Sequence, residues 1–471
     1  MDGRITKEQL KKALAADLEK LLEAAVEAVN QAQPGHIIDD SEEPVRDAAG
    51  VFRQKLFEKA LELRSQREAF SPQASPDDQP LAWRNKGTQA IHVTTVNGSI
   101  SICRRVYWTR SQGCYAPLDA WLGLSSRYSQ GVREMVCRVG LDGSYRKAAE
   151  DLHRLGQITL SYQTLRDLFQ GEGQKVRTAT TQGDLMPTFT AQDCHVRADE
   201  PTCLITGADG FQVPRITDGE QRKRRTKAKQ RRRHLRQQGH SLRPLPPRPV
   251  GSDQKWKEVK LVTFYDPSGR HRHTAATTGN HQAAGRLMRS LGARLHLNQA
   301  DHKYSVSDGA EWIRCQYQQQ LPMLDARILD YYHFRDHTIA CAQSVFGEGT
   351  DAASQWREAF CTTMLRSGPV QALTDLALLG SKHRGGKRRA ILALQGYIAR
   401  HTDMLDYPRY IAHGYQTGSG PTESQCKSLA GRLKGCGRRW NRRGIDAHLA
   451  LSALYTNSGQ WTVYWPKVPM P

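Results

Sequence analysis

The sequence predicts a multidomain chain of mixed α+β and α/β class, with a mixed sheet as its core and helical segments around it. Three observations support this prediction. The 471 residues are enough for about three domains at roughly 150 residues each. The composition is 38% hydrophobic, which a disordered chain does not reach. Strand-like segments are concentrated in two regions, and apolar residues recur at helical spacing before, between and after them.

Basic residues outnumber acidic ones widely. Lys and Arg total 68 against 47 for Asp and Glu, a formal net charge of +21. This surplus predicts a polyanionic partner, most simply nucleic acid. No apolar run approaches the roughly 18 residues that span a bilayer, and the opening MDGRITKEQL has no apolar signal region. We therefore expect a cytoplasmic protein with no membrane partner. None of the ten cysteines forms a C-x-x-C pair, which favours reduced core thiols.

Two helical patterns open the chain. Apolar residues at helical spacing fill residues 6–30, and a second such pattern runs from Val45 to Leu63. Residues 1–75 are therefore predicted to form a helical arm. The two helices either pack within their own domain or serve as a coiled-coil arm for dimerisation. The composition of residues 71–80, SPQASPDDQP, predicts a linker.

Residues 76–125 are predicted to hold a β-hairpin. Alternating strand-like residues over 90–108 flank Asn97-Gly98, which is the strongest short-range signal for a hairpin.

Residues 126–180 are predicted to form a helix-turn-helix domain. A helix over 144–155 is followed by Gly156 and by a second helix, Tyr162 to Phe169. With the basic charge of the chain, we expect this second helix to read DNA; a plain three-helix packing unit is the alternative. The side chains expected to face a groove are Gln163, Thr164 and Arg166, with Ser161 beside them.

Residues 200–333 predict three strands, a helix, a strand, a helix and a strand, which is the order of a ribonuclease H-like sheet. The first strand is expected at 202–206, ending before Gly207. Residues 334–418 have helical patterning and predict an all-helical insertion. Residues 419–471 are expected to complete the core with a helix that carries Glu423, a basic segment and a short extended tail.

A strongly basic insert occupies residues 219–250. Residues 222–236 hold ten Lys or Arg and no acid, and the proline-rich PLPPRP follows. We expect the insert to be mobile without a ligand and to contact phosphates; a solvated face or a nuclear localisation signal is the alternative. The candidate DNA-binding residues are Arg222, Lys223, Arg224, Arg225, Arg231, Arg232 and Arg233.

Three carboxylates are candidate metal ligands. Asp209 and Asp308 are each expected at the end of a strand, directly before a glycine that leaves space beside the carboxylate. Glu423 falls in the first turn of a helix that follows Gly418-Ser-Gly-Pro421. If they meet at one edge of the sheet, their repulsion favours divalent cations, with two Mg²⁺ or Mn²⁺ ions expected. Two ordinary Asp-Gly turns are the alternative, and other acids are available as ligands, namely Glu311, Asp325 and Asp330.

Five segments together resemble the DDE transposases of bacterial insertion sequences, specifically the Kra-type group, which is distantly related to Mutator-like enzymes. The segments are TGADGFQVP, WKEVKLVTFYD, SDGAEWI, DYYHFRDH and GSGPTESQCKSLAGRLKGCGRRWNRRGIDAHLALSAL. The resemblance covers most of residues 90–460. It implies that Asp209, Asp308 and Glu423 form the catalytic triad of a ribonuclease H-like core. It further implies DNA partners, namely terminal inverted repeats and target DNA, a homodimer or larger homo-oligomer, and a bacterial, nucleoid-associated location.

The resemblance also implies roles for residues around the triad. Asp330 and His333 are expected near the active site, with a core histidine as the alternative for His333. A basic block after the glutamate is expected to contact phosphates and stack on a base, with a buried tryptophan as the alternative. Its residues are Arg432, Lys434, Arg438, Arg439 and Trp440. The chain keeps only Cys114 where many relatives have a C-x-x-C pair, so the hairpin module resembles a degenerate zinc ribbon.

Two other functions fit the same sequence. A domesticated, catalytically silent regulator would use the helix-turn-helix and the basic insert alone. A structure-selective nuclease would cut DNA without transferring a strand. Retention of all three carboxylates argues against the regulator, and the predicted end-binding modules argue against the nuclease.

Overall fold

A computed structural model describes residues 4–66, 83–195 and 199–466, so the predicted linker at 71–80 lies outside the described residues. The chain is of mixed α and β class and divides into two compact units, Met1–Phe169 and Gln170–Pro471. The boundary falls inside the second helix of the predicted helix-turn-helix. In the described ranges, no helix has the length and apolar character needed to cross a membrane.

The first unit combines helices with a small sheet. Its elements are α1 (Lys7–Gln31), α2 (Ile37–Ser65), β1 (Arg84–Thr95), β2 (Gly98–Thr109), β3 (Gly113–Tyr115), α3 (Pro117–Trp121), α4 (Gln130–Gly140), α5 (Tyr145–Gly156) and the start of α6 (Tyr162–Gln182). The predicted hairpin is confirmed: β1 and β2 pair antiparallel, and β3 adds a third strand. Its core is formed by Val93, Ile100, Ile102 and Leu118, against which Phe57 of α2 packs.

The two predicted N-terminal helices are confirmed as α1 and α2. A capping box starts α1, in which Thr6 accepts a hydrogen bond from Gln9 N. Leu14 is the buried residue of α1, whereas Leu22 and Val26 are more than half exposed. The function of this helical pair as a dimerisation arm remains a prediction.

The helix-turn-helix elements are present, but α6 is longer than predicted. Ser144 caps α5, and Gln157, with a φ of 55°, closes it. Ser161 accepts a hydrogen bond from Thr164 N at 3.1 Å at the start of α6. The helix then continues to Gln182 instead of ending at Phe169. Residues 170–182 contain no proline that would end the helix. Gly173 lies directly against the backbone of Ala447, and only a residue without a side chain allows this close packing.

The second unit is built on a five-stranded mixed sheet. Its strands are β4 (Cys203–Pro214), β5 (Trp256–Tyr265), β6 (Arg272–Thr277), β7 (His302–Ser307) and β8 (Ala326–Leu329), in the order β6-β5-β4-β7-β8. Strands β4, β5 and β6 pair antiparallel, and β7 and β8 run parallel to β4. The predicted order of three strands, helix, strand, helix and strand is confirmed, with one further helix inserted after β4.

The second unit also contains helices, most of which cover the two faces of this sheet. They are α7 (Asp218–Gln237), α8 (His281–Arg294), α9 (Glu311–Gln320), α10 (Tyr331–Phe346), α11 (Asp351–Ser381), α12 (Gly385–Arg400), α13 (Tyr407–Ala412), α14 (Gly420–Leu433), α15 (Arg442–Thr456) and α16 (Gln460–Tyr464). Because strand side chains alternate, Ile205 and Val306 pack with α10 to α13, whereas Leu204 and Phe264 pack with α8 and α9.

Two expectations about these elements are wrong. The first strand does not end at 206, because Phe211 and Val213 continue the buried pattern and β4 pairs with β5 as far as Pro214. The terminal segment is not simply extended, since it contains α16. The charged part of the insert is a regular helix, α7, whose start is fixed by a capping box between Thr217 and Glu220. The mobility expected for the insert without a ligand stays a prediction.

Candidate functional site

Strand register places three aspartates at neighbouring positions, one in β4 and two directly after β7 and β8. The ladder between β4 and β7 pairs Thr206 with Ser305, and three residues further along these strands are Asp209 and Asp308. The ladder between β7 and β8 ends at Ser307 and Leu329, one residue before Asp308 and Asp330. Asp209 therefore lies in the middle of a strand, contrary to the prediction of a strand end. Asp308 follows its strand as predicted.

A tight turn holds Asp308 at the end of β7. Its Oδ1 accepts a hydrogen bond from Ala310 N at 2.9 Å. Gly309 has a φ of +75°, and a Cβ there would lie 2.4 Å from Leu329 Cδ1. Only glycine fits this conformation and this space without displacing β8. The turn at Asp308-Gly309 therefore fixes the direction of the carboxylate, in addition to reversing the chain.

Glu423 reaches the site from the first turn of α14, as predicted. Its Oε1 accepts a hydrogen bond from Ser419 Oγ at 3.2 Å, and its Oε2 lies 4.0 Å from Lys427 Nζ. The side chain is 52% exposed, so Glu423 is open to the solvent of the cleft. Gly207 lets α14 pack closely against β4, because Thr422 occupies the space that a side chain would fill.

Asp330 joins the elements that surround the carboxylates. It caps α10, with Oδ1 accepting a hydrogen bond from His333 N at 2.8 Å. Its Oδ2 accepts from Ser419 N, at the residue that precedes α14. A side chain that is 2% exposed thus uses both oxygens to hold the starts of two helices.

One cavity of about 540 Å³ brings these residues together. Its lining includes all five predicted active-site residues, namely Asp209, Asp308, Asp330, His333 and Glu423. His333 is exposed, so the alternative of a core histidine is wrong. Sequence reasoning missed Tyr332, Asp336, Cys426 and Lys427, which also line the cavity. Asp336 lies one helical turn after His333 in DYYHFRDH, and that spacing was the available signal.

The cavity is electrostatically unfavourable for the charged form of Asp308. Burial raises the pKa of Asp308, and the nearby charges of Asp209 and Asp330 raise it further. The Ala310 backbone hydrogen bond and His333 act in the opposite direction. Burial also raises the pKa of the Cys426 thiol, and its neighbour Asp209 adds to this effect. Cys426 is therefore held as a neutral thiol beside an acidic cluster.

The donor set fits a hard divalent cation. Asp209, Asp308 and Glu423 supply carboxylate oxygens, the ligands that Mg²⁺ and Mn²⁺ prefer, and a cation would relieve the repulsion that acts on Asp308. Across residues 4–66, 83–195 and 199–466, no three His, Cys, Asp or Glu side chains are grouped closely enough to form a ready metal site.

The basic helix α7 presents most of its predicted DNA-binding residues to solvent, and none of its residues is buried. Arg222, Lys223, Arg224, Arg231 and Arg233 are exposed. Arg225 and Arg232 are partly covered, because their guanidinium groups donate hydrogen bonds to the carbonyl oxygens of Pro246 and Arg243.

At the start of α6, in the first unit, Gln163 and Arg166 are exposed and Thr164 is partly exposed. Arg166 pairs with the neighbouring Asp167, with Nε and Nη2 at 2.9 and 2.8 Å from its Oδ1. Within the described chain, these side chains lie on the surface where the helix-turn-helix prediction places them.

The basic block after α14 divides into exposed and buried residues. Lys434 is exposed and lines the cavity, and Arg439 pairs with Glu220. Arg438 is partly exposed and donates to Arg432 O at 2.9 Å. Arg432 and Trp440 are only 5% and 7% exposed, which contradicts their prediction as DNA contacts.

Trp440 is part of the protein interior. Its Nε1 donates to Leu433 O at 3.0 Å, and the Arg432 guanidinium lies 5.3 Å from the ring centre. The alternative of a buried tryptophan is therefore the arrangement observed. The backbone of the same residue contacts the segment before α7, where Trp440 O accepts from Ile216 N at 2.9 Å.

Comparison with known families gives one match. A family model described as "Uncharacterised protein family (UPF0236)" matches residues 73–233, about a third of the chain. The matched segment contains the hairpin, the helix-turn-helix, Asp209 and most of α7, but neither Asp308 nor Glu423. No curated protein matches the chain.

Proposed function

We propose that this chain is the transposase of an insertion sequence. It binds the ends of its element and catalyses metal-dependent cleavage and transfer of DNA strands. One observation carries the proposal: carboxylates from three separate elements, Asp209 in β4, Asp308 after β7 and Glu423 in α14, line a single cavity. Carboxylate oxygens that converge on one cavity are the donors that phosphoryl transfer with Mg²⁺ requires.

The sheet supports a ribonuclease H-like core. Three antiparallel strands come first along the chain, and the two later strands lie parallel beside the first of them. This is the strand order of that fold. The carboxylates occupy the first strand, the end of the fourth strand and a helix that follows a helical insertion, as the resemblance to DDE transposases implies.

Asp209, Asp308 and Glu423 would hold two Mg²⁺ or Mn²⁺ ions. The ions would supply charge neutralisation at the scissile phosphate and activation of the attacking oxygen. Lys427 and Lys434 border the same cavity and supply positive charge for phosphate oxygens. Asp330 keeps Glu423 in place through Ser419, and Gly309 keeps Asp308 in place.

The proposed reaction has two steps on one site. Water attacks a phosphodiester at the element end, the bond from phosphorus to the 3′ oxygen breaks, and a free 3′-hydroxyl remains. That hydroxyl then attacks a phosphodiester of the target, whose own 3′ oxygen leaves. One phosphodiester forms for each that breaks in the second step, so no external energy source is needed.

Cleavage and joining of a labelled duplex test this proposal. The duplex carries the DNA that flanks the gene, and purified protein is added with Mg²⁺ or with EDTA. We expect strand cleavage and joined products with wild type and Mg²⁺, and neither with Glu423→Gln. Glu423→Gln that cuts at the wild-type rate would exclude the assignment. Cleavage without joining would favour the structure-selective nuclease, and binding of the ends without cleavage would favour the silent regulator.

A further inference from the structure

Residues 216–252 form an arm with a fixed base, which we call the basic arm. The outgoing and returning segments of the arm meet at its base, where Asp218 N donates to Ser252 O at 3.0 Å and Ser252 N donates to Ile216 O at 2.9 Å. From this base α7 extends outward, and residues 238–250 return along it without regular structure. A helix of 20 residues is roughly 30 Å long, so the arm is a substantial projection.

Acidic residues are confined to the base of the arm, where they are paired. Asp218 Oδ2 lies 2.9 Å from Arg222 Nε, and Asp218 Oδ1 lies 2.5 Å from Arg248 Nη1. Glu220 pairs with Arg439. Residues 221–250 contain twelve Lys or Arg and no acid, so the outer arm has no internal counter-charge.

Packing does not explain the charge of the arm. No residue of α7 is buried, and its partly covered side, which includes Arg225, Arg232 and Leu235, contacts the returning segment instead of the core. Lys223, Lys227 and Arg231 are exposed and follow one another at four-residue spacing. Like charges at this spacing destabilise a helix. A polyanion along this line would remove the repulsion.

The composition of the arm favours duplex DNA over other polyanions. Residues 218–250 contain no Phe, Tyr or Trp, so the arm offers none of the aromatic rings on which single-stranded bases stack. The exposed line of Lys223, Lys227 and Arg231 can face the phosphates that border the roughly 12 Å major groove of B-form DNA, with the returning segment on another side of α7. The major groove of an A-form RNA helix is deep and narrow, so its bordering phosphates do not present the same opening.

From these observations we propose that the basic arm is a separate binding site for the phosphate backbone of duplex DNA, independent of base sequence. Lys223, Lys227 and Arg231 make one line of phosphate contacts. This site goes beyond the proposed function, because it acts without cleavage and without recognition of the element ends. The arm is rooted in β4, the strand of Asp209, and in the Glu220–Arg439 pair beyond α14, so DNA held there lies beside the catalytic unit.

The salt dependence of binding tests the arm directly. Full-length protein is titrated into a fluorescent 30-bp duplex of arbitrary sequence in EDTA, over a range of salt concentrations, and fluorescence anisotropy is measured. The arm variant is Lys223→Gln/Lys227→Gln/Arg231→Gln. The matched control is Lys387→Gln/Arg388→Gln/Arg389→Gln, which removes the same charge from an exposed segment of α12 in the same unit.

Each phosphate contact contributes about 0.9 to the slope of log Kobs against log salt on B-form DNA. We expect the arm variant to lose about 2.7 from the slope and the control to lose less than about 1. Equal slopes for wild type and the arm variant would overturn the proposal. A second result would also overturn it. In that result, wild type binds a single strand or an RNA duplex as tightly as duplex DNA, and the arm variant loses the same affinity for each of them.

Two controls separate this inference from the proposed function. Circular dichroism and urea unfolding should show the arm variant folded and at least as stable as wild type, since all three side chains are exposed and their mutual repulsion is removed. Glu423→Gln should retain the full wild-type slope. If no protein cleaves DNA but the arm variant still loses its slope, the proposed function fails and the arm site stands. If cleavage is normal but the slope is unchanged, the arm site fails alone.

Discussion

Gly207 in β4 and Thr422 in α14 are in such close contact that a Cβ on Gly207 would lie 1.9 Å from Thr422 Oγ1. Thr422 is buried and directly precedes Glu423. Gly207 lies two residues before Asp209 on the same strand. The absence of a side chain at one position therefore sets how closely the glutamate approaches the first aspartate.

Gly207→Ala should displace α14 from β4. We expect a loss of about 1–3 kcal/mol in the free energy of unfolding, as for other overpacked sites, together with loss of strand cleavage. Urea unfolding and the duplex cleavage assay measure the two effects. Gly171→Ala is the matched control, because a Cβ there meets nothing within 4 Å. It should leave both quantities unchanged or slightly raise stability.

The double variant Gly207→Ala/Thr422→Ala isolates the contact. Removing Thr422 Oγ1 and Cγ2 takes away the atoms at 1.9 and 3.1 Å from the new Cβ. We expect the double variant to be less destabilised than the sum of the two single variants. Strict additivity of the two free-energy changes would show that this contact does not set the position of α14.

Asp330→Asn should weaken the junction of α10 and α14. An amide can accept from His333 N or from Ser419 N, but its NH₂ group then faces the other donor. We expect a loss of about 1–3 kcal/mol in unfolding free energy from the unpaired buried group. Asp336→Asn changes an exposed carboxylate of the same cavity and should stay within about 0.5 kcal/mol of wild type. Equal stabilities for the two variants would contradict the role given to Asp330.

Asp308→Asn should raise the free energy of unfolding and abolish strand cleavage. The raised pKa of Asp308 shows that its charge is unfavourable in the folded chain, where burial and Asp209 oppose it. Asparagine retains an oxygen for the Ala310 N–H and carries no charge. We expect this variant to unfold at about 0.5–2 kcal/mol higher free energy than wild type in EDTA, with no cleavage in Mg²⁺. A variant less stable than wild type would show that the charge of Asp308 does not destabilise the folded chain.

Stability should fall in mild acid because of a buried histidine. His448 is 1% exposed, and burial, with Arg432 and Arg438 nearby, lowers its pKa from 6.5 to about 3. The unfolded chain therefore takes up the proton first as the pH falls. The stability from neutral His448 is complete above pH 6.5 and is lost as the pH falls from there toward about 3.

This histidine alone should cost about 1.4 kcal/mol between pH 7.5 and 5.5, since one pKa unit corresponds to that energy. His448→Gln should reduce the difference in unfolding free energy between the two pH values by that amount, whatever its stability at pH 7.5. The exposed His240→Gln should keep the wild-type difference. A wild-type difference in His448→Gln would mean that other groups cause the acid sensitivity.

Much of the secondary structure follows from local sequence patterns. Alternation around Asn97-Gly98 is sufficient to predict the hairpin, and turn residues after Tyr265 and Ser307 mark the ends of two strands. The limits of β4 and α6 do not follow in this way. β4 continues past Gly207 because β5 pairs with it over its whole second half, and α6 continues past Phe169 because Gly173 packs on another helix.

The candidate site was predictable as a set of residues but not as an arrangement. Asp209, Asp308 and Asp330 come side by side only through the register of strands that are distant in sequence. The use of both Asp330 oxygens for helix starts depends on tertiary contacts in the same way. Trp440 is surrounded by basic residues in sequence, and only the fold reveals that its ring is buried.

Mobility of a minimal element in cells is the most direct test of whether this chain is a transposase. The DNA that flanks the gene brackets a selectable marker, and the protein is supplied separately as wild type or as Asp308→Asn. We expect wild type to move the marker and folded, DNA-binding Asp308→Asn to leave it in place. Movement at the same frequency with both proteins would contradict it, and so would binding of the ends by both proteins with no movement by either.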